Sequence, residues 1–169
     1  TAIDNGQNEW PDYWTQEPYM HGSIKIKLAL FCFSFNAVGL FLFGLIYTFS
    51  SELLPFHLAA ISTSWDELPP AYQVLYLGMM KTEGAGFLSS AVAIVFLLAI
   101  PFRRGERWSA WAILAIGVVE HFPGMIGAMT TSQLTPASSP WQLSLLGMSL
   151  LGLGLVLSLS HWRIIRHTE

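Results

Sequence analysis

Four ionisable side chains interrupt stretches that are otherwise apolar, and they are the residues with which this chain could do chemistry. Lys81 and Glu83 lie at the start of the second apolar stretch, and Glu120 and His121 lie side by side within the third. A charged side chain within a membrane helix is costly, usually faces the bundle interior and marks a functional site by default. These four residues are therefore candidates for acid–base catalysis or ligand binding.

The elements that must position them are long apolar helices. A hydrocarbon core of ~30 Å needs about 20 helical residues to cross it. Four stretches meet this length, at residues 26–48, 72–100, 108–129 and 141–161. We therefore predict an all-α polytopic membrane protein, with a four-helix transmembrane domain within residues 24–162 and a short cytoplasmic tail at 163–169.

A connection at residues 49–71 separates the first two spans. It is too polar to cross a membrane, yet too apolar for a free linker, so we expect short interfacial helical turns that cap the bundle. Ser64-Trp65-Asp66-Glu67 ahead of two prolines is typical of a helix start. The same connection contains His57, the one candidate for a cofactor ligand outside the spans.

Composition excludes several classes of protein. The chain has 169 residues, of which 53% are hydrophobic and 11% charged, and its mean hydropathy is +0.48. Soluble domains carry about 25% charged residues, and nucleic-acid binders carry a basic surface that is missing here. Cys32 is the single cysteine, so a disulfide or a Cys-x-x-Cys pair within the chain is excluded.

A polar arm, residues 1–23, precedes the first span and is rich in aromatic residues. Trp10, Tyr13 and Trp14 are candidates for binding a partner subunit, and they also suit an anchor in the membrane interface. The alternative is a loosely ordered tail whose rings touch lipid headgroups, because chain ends that nothing ties down are commonly disordered.

The basic residues predict the orientation. Seven of the eight Lys and Arg residues fall on one side of a four-span arrangement, and the exception is Lys81. Cytoplasmic loops carry the excess of Lys and Arg, so both ends of the chain are predicted to be cytoplasmic. We expect an integral protein of a bacterial inner membrane, surrounded by lipid.

The depths of the polar residues predict which of them meet. Along straight helices Lys81 lies ~28 Å and Glu120 ~18 Å above the cytoplasmic interface, so we predict a contact between Lys81 and Glu120. Glu83 points ~200° away from Lys81 and is expected to engage the cap or another subunit. The alternative is that Lys81 snorkels to headgroups and that His121 is an ordinary interior histidine.

Cofactor and packing motifs are sparse. No Glu-x-x-His pair of the kind used by di-iron bundles is present, and His57 could pair with His121 only if the capping connection dips inward. The run Gly84-Ala85-Gly86 and the polar Asn36 in span one indicate close helix packing rather than chemistry.

A family resemblance accompanies these motifs. The long first outer connection, the Gly-Ala-Gly-Phe-Leu run that opens span two and the Pro-Phe-Arg-Arg-Gly-Glu-Arg-Trp turn resemble small bacterial DoxX-like membrane proteins and allied families of unknown function, over about residues 25–160. The resemblance implies a four-helix bundle that serves as an accessory subunit of a membrane oxidoreductase, among other roles. It implies no catalytic residue.

Two functions follow from the sequence. The first is an accessory or structural subunit of a larger membrane complex, without catalysis of its own. The second is a small intramembrane enzyme or a quinone- or lipid-binding protein, with Glu120 and His121 in a polar pocket in the outer half of the bundle. A transporter is less favoured, because the two halves show no inverted repeat or paired broken helices.

Overall fold

The structure, a computed structural model, describes residues 23–166 of the chain and the side chains as far as Trp162. The aromatic arm with Trp10, Tyr13 and Trp14 lies outside the described residues. Within the described part the chain is almost entirely helical and contains no strand.

Five helices follow one another. Their bounds are α1 Ile24–Phe49, α2 Pro55–Ala60, α3 Pro70–Leu97, α4 Arg107–Leu134 and α5 Trp141–Arg166; a 3-10 turn, Trp65–Glu67, precedes α3, and a π-helical turn, Leu98–Phe102, extends it. The four long helices are each long and apolar enough to cross a membrane. The predicted four-helix membrane fold is therefore confirmed.

All four long helices extend beyond the predicted stretches, α4 by the most. The third was expected to end at residue 129, but α4 continues as a regular helix through Pro123 to Leu134, where Thr135 caps it by donating from its hydroxyl to the carbonyl of Thr131 at 2.7 Å. A membrane helix tolerates proline because neighbouring groups satisfy the freed carbonyl. With its π-helical turn, α3 spans 33 residues, or ~50 Å.

The bundle has two distinct ends. At the basic end, defined by the starts of α1 and α4 and the ends of α3 and α5, the Arg107 guanidinium donates to the carbonyl of Trp162 at 2.9 Å. Phe102 packs edge-on against both Phe33 and Trp162 there, with ring centroids 5.6 and 5.9 Å apart. The opposite end, which carries residues 50–69 and 135–140, is the loop end.

The helices do not touch one another equally. α1 packs extensively against both α3 and α5, and α4 packs against α5, whereas α3 and α4 make little contact. The main buried core joins α3 to α4 through residues near the basic end, Ile94, Phe102 and Ile113 among them. The bundle is therefore tight at the basic end and looser between α3 and α4 toward the loop end.

Gly84 allows a close approach of α1 and α3. A Cβ at Gly84 of α3 would lie 2.6 Å from Thr48 Oγ1 and 2.7 Å from the Thr48 backbone nitrogen of α1, whereas one at Gly86 would meet nothing within 4 Å. The close packing predicted for the Gly84-Ala85-Gly86 run therefore holds for Gly84 and not for Gly86.

The predicted cap forms from α2 and the 3-10 turn. Its apolar side chains pack with Tyr47 and Met80, on the outer parts of α1 and α3. The predicted helix start is also present, because Glu67 accepts hydrogen bonds from the Ser64 backbone at 3.1 Å and the Thr63 hydroxyl at 3.2 Å. These bonds, that of the Ser64 backbone first, hold the pKa of Glu67 below its ordinary value.

Candidate functional site

A cavity of about 300 Å³ lies in the loop half of the bundle, and we call it the central cavity. All four long helices contribute to its wall, together with Phe56 from α2. Its polar lining residues are Asn36, Tyr47, Glu83, Glu120, His121 and Ser144. The rest of the wall is apolar and includes the rings of Phe35, Phe43, Phe56 and Phe87.

A layer of hydrogen-bonded polar residues lies at the base of this cavity. Asn36, Ser90 and Glu120 are each 12 or 13 residues from the basic end of their helices, which corresponds to ~18–20 Å along the axis. The layer thus lies past the middle of a ~30 Å hydrocarbon core. We call these three residues, with His121, the polar layer.

Asn36 is the most deeply buried member of the polar layer, with 4% of its surface exposed. Its amide nitrogen donates to the Gly147 carbonyl at 3.1 Å. The tautomer of His121 decides the second bond: an unprotonated Nε2 accepts from the Asn36 amide nitrogen at 3.2 Å, and a protonated Nε2 donates to the Asn36 amide oxygen at 3.4 Å. A Cβ at Gly147 would lie 2.6 Å from Nε2 of His121. The glycine therefore leaves the room that the imidazole occupies.

Sequence reasoning assigned Asn36 to packing and missed its place in the site. The available signal was its position, because it is the one strongly polar residue of span one and has the same depth as Glu120. Ser90 was missed as well. Its hydroxyl donates to Oε1 of Glu120 and links α3 to α4, two helices that otherwise touch little.

The predicted contact between Lys81 and Glu120 is wrong. Lys81 is exposed and does not line the central cavity. At 100° per residue, Lys81 lies ~180° around α3 from Ser90, the residue that faces Glu120. The lysine therefore points to the other side of its helix, ~30 Å from Phe102 toward the loop end.

Glu83 shares the cavity with Glu120 instead. It lies seven residues before Ser90, which places both on one face of α3, ~10 Å apart along the axis. The two carboxylates are near enough to interact electrostatically, and Glu120 also interacts with the ring of His121. Glu83, Glu120 and His121, three of the predicted site residues, are thus brought together.

His57 is placed elsewhere. It lies half-buried on α2, edge-on to Tyr47 with ring centroids 5.8 Å apart and against Phe56 at 4.1 Å. Burial lowers the pKa of His57. Because Phe56 rather than His57 reaches the cavity wall, the pairing of His57 with His121 does not form. Within residues 23–166 no group of three metal-ligating side chains comes together.

Comparison with family models, curated proteins and solved structures gave no significant match.

The chemistry of the cavity is amphipathic. Its walls are mostly aromatic and aliphatic, and the polar layer offers an amide, an imidazole and a carboxylate at one end. Ligand pockets commonly combine apolar walls with a few well-placed polar groups that orient the ligand. The arrangement suits a molecule with an apolar body and a hydrogen-bonding head group.

Proposed function

We propose that this chain is an integral membrane protein that binds a small amphipathic molecule, a quinone or a lipid, in the central cavity. The observation that carries the proposal is the cavity of about 300 Å³ with the polar layer at its base, at the small end of the ~300–1,000 Å³ range of ligand pockets. Asn36 and His121 would hold the polar head of the ligand by hydrogen bonds. Glu120, next to His121 in the chain, would serve with it as an acid–base group.

Access from the bilayer supports this function. Phe35 of α1 and Leu143 and Leu146 of α5 line the cavity and keep 50%, 49% and 48% of their surfaces exposed. An apolar tail would therefore reach the cavity from the lipid past these exposed side chains, without passing through water.

Filling the cavity should abolish binding. Gly39 lines it, and a Cβ there would meet nothing within 4 Å, so Gly39→Leu places its side chain in the ligand's space. We expect a short-chain quinone to raise the melting temperature of the wild-type protein in detergent, and the apparent affinity to fall at least tenfold in Gly39→Leu.

Gly152→Leu is the matched control. A Cβ at Gly152 would likewise meet nothing within 4 Å, but this glycine does not line the cavity, so the variant should bind like the wild type. Equal quinone affinity in all three proteins would contradict a ligand site in the cavity.

A second proposal, an accessory subunit of a larger complex such as an oxidoreductase assembly, has its own supporting observation. The first turns of α3 extend beyond the ~30 Å that the hydrocarbon needs, yet they expose large apolar side chains. Val74 and Met79 are 74% and 61% exposed. Apolar surface that lipid does not cover commonly marks a protein interface.

Substitution at this surface tests the subunit proposal. We expect a stoichiometric partner to co-purify in mild detergent, to be lost from Val74→Lys and to be kept by Val74→Ala. If the partner still co-purifies with Val74→Lys, this surface is not the interface. A wild-type chain that purifies alone would contradict the subunit role.

We further propose that both ends of the chain are cytoplasmic in a bacterial inner membrane, on the strength of the basic residues gathered at one end of the bundle. Cysteines introduced at Ser64 and Ser138, both exposed at the loop end, should react with an impermeant maleimide added to intact cells. A cysteine at Glu106 should react only after permeabilisation, and Cys32 is buried. The reverse labelling pattern would overturn this orientation.

A further inference from the structure

The charges that line the central cavity have one sign. Glu83 and Glu120 both line it, and none of the lining residues in the described part of the chain is a lysine or arginine. The basic residues of the spans lie at the basic end, ~18–20 Å below the polar layer, and Lys81 faces away. Glu83 is exposed and Glu120 is half-buried. Two carboxylates at one site repel each other unless a cation or a proton intervenes.

The two carboxylates are held differently. Glu120 is oriented by the Ser90 hydroxyl and interacts with His121. Glu83 shares a face of α3 with Ser90, lies two helical turns nearer the loop end and accepts no hydrogen bond from a described residue. Its carboxylate therefore keeps its full capacity to accept hydrogen bonds or to pair with a charge that enters the cavity.

Aromatic rings line the same cavity as the two carboxylates. Tyr47 and Phe87 meet edge to face with centroids 5.6 Å apart, and Phe43 lies 6.4 Å from Tyr47. All three line the cavity. Ring faces attract organic cations, and aromatic boxes are the common protein site for quaternary ammonium groups. The walls and the carboxylates thus favour the same kind of head group.

We propose that the ligand of the central cavity is a lipophilic cation, an amine or quaternary ammonium group on a small apolar body. This inference rests on the proposed function and narrows its ligand class. The ammonium lies between Glu83 and Glu120 against the aromatic rings, and the apolar body extends toward Phe35 and the lipid. The positive charge offsets part of the repulsion between the two carboxylates, which a neutral ligand would leave uncompensated.

A matched pair of probes tests the charge alone. 4-Phenylbutyl-trimethylammonium and its neutral analogue, in which a tert-butyl group replaces the trimethylammonium, have nearly the same shape. Binding of each is measured by tryptophan fluorescence to the full chain in nanodiscs of zwitterionic lipid, with empty nanodiscs as the blank. We expect the cation to bind at least tenfold more tightly than the neutral analogue.

Variants test whether Glu83 and Glu120 cause the preference for the cationic probe. Glu83→Gln is expected to lower the affinity for the cation at least fivefold, and Glu83→Gln with Glu120→Gln to abolish the preference. Glu52→Gln, an exposed carboxylate outside the cavity, is the matched control and should behave like the wild type. The single variant at Glu83 keeps the test valid if loss of the Ser90–Glu120 bond unfolds the double variant.

The outcomes separate this inference from the proposed function. Equal affinity for the two probes, together with quinone binding that Gly39→Leu abolishes, would overturn the cationic ligand and leave the amphipathic site in place. A preference for the cation that survives in Glu83→Gln and in the double variant would also overturn the inference. Failure of both probes and of the quinone to bind would overturn both proposals.

Discussion

Gly84→Val is expected to destabilise the bundle strongly, because the new side chain forces α1 and α3 apart. A Cβ at this position would come within 2.6–2.9 Å of Thr48 Oγ1, the Thr48 nitrogen and Tyr47 Cβ. A backbone atom cannot move away without displacing α1 as a whole. Overpacking commonly costs ~1–3 kcal/mol, and we expect the top of this range, measured as thermal unfolding in detergent.

Gly86→Val is the control for this prediction. It places the same branched side chain two residues away on the same helix, where a Cβ meets nothing within 4 Å. Helix propensity changes equally in the two variants, so the difference between their unfolding free energies reports the helix crossing. Similar melting temperatures for both would show that α1 and α3 do not cross at Gly84.

Asn36→Leu should also destabilise the bundle, by a smaller amount. The leucine keeps the branched shape and the number of non-hydrogen atoms of the side chain but removes the bonds to the Gly147 carbonyl and to His121. Leaving buried polar partners unpaired costs ~1–3 kcal/mol, although hydrogen bonds between membrane helices average only ~0.6 kcal/mol. We therefore expect a loss of about 1–2 kcal/mol in unfolding free energy, between these two estimates.

A double-mutant cycle isolates the contact itself. Asn36→Leu and His121→Ala should be non-additive by ~0.5–1.5 kcal/mol, because residues in contact couple and distant ones do not. Ser149→Ala is the control, since the Ser149 hydroxyl is exposed and bonds only to the Leu145 carbonyl of its own helix. Strict additivity of the first pair would mean that Asn36 and His121 do not interact.

The spans were predictable because apolar length is a strong signal. The four long helices agree with the predicted stretches to within a few residues, apart from the loop end of α4. There the prediction ended the span at residue 129, where the sequence becomes more polar. The helix instead continues to Leu134, so the polar residues after Met129 add another turn.

The positions of the site residues along their helices were predictable, but the directions in which their side chains point were not. Sequence spacing placed Glu120 and His121 in the half of the bundle away from the basic end, and both line the cavity there. It could not decide between Lys81 and Glu83 as the residue that shares the site with Glu120, because the choice depends on which face of α3 meets α4. Ser90 determines that face, and a lone serine in an apolar run carries no signal of its partner.

Glycines posed the same difficulty. Spacing alone does not distinguish Gly84, which allows a helix crossing, from Gly86, which faces open space. Nor does it show that Gly147 makes room for an imidazole from another helix. These distinctions depend on the rotation of each helix about its axis, which neighbours rather than local sequence determine.

The hydrogen bond between Ser90 and Glu120 also bears on how α3 and α4 are inserted into the membrane during translation. Of the four spans, α4 is the least apolar, and a carboxylate near a helix centre adds ~2.5–3.5 kcal/mol to the free energy of insertion. Translation delivers α3 first, and the short turn after Phe102 brings α4 alongside it. Ser90 is then already in the membrane when Glu120 arrives, so we expect the two helices to leave the translocon as a hairpin, with the serine easing the entry of the carboxylate.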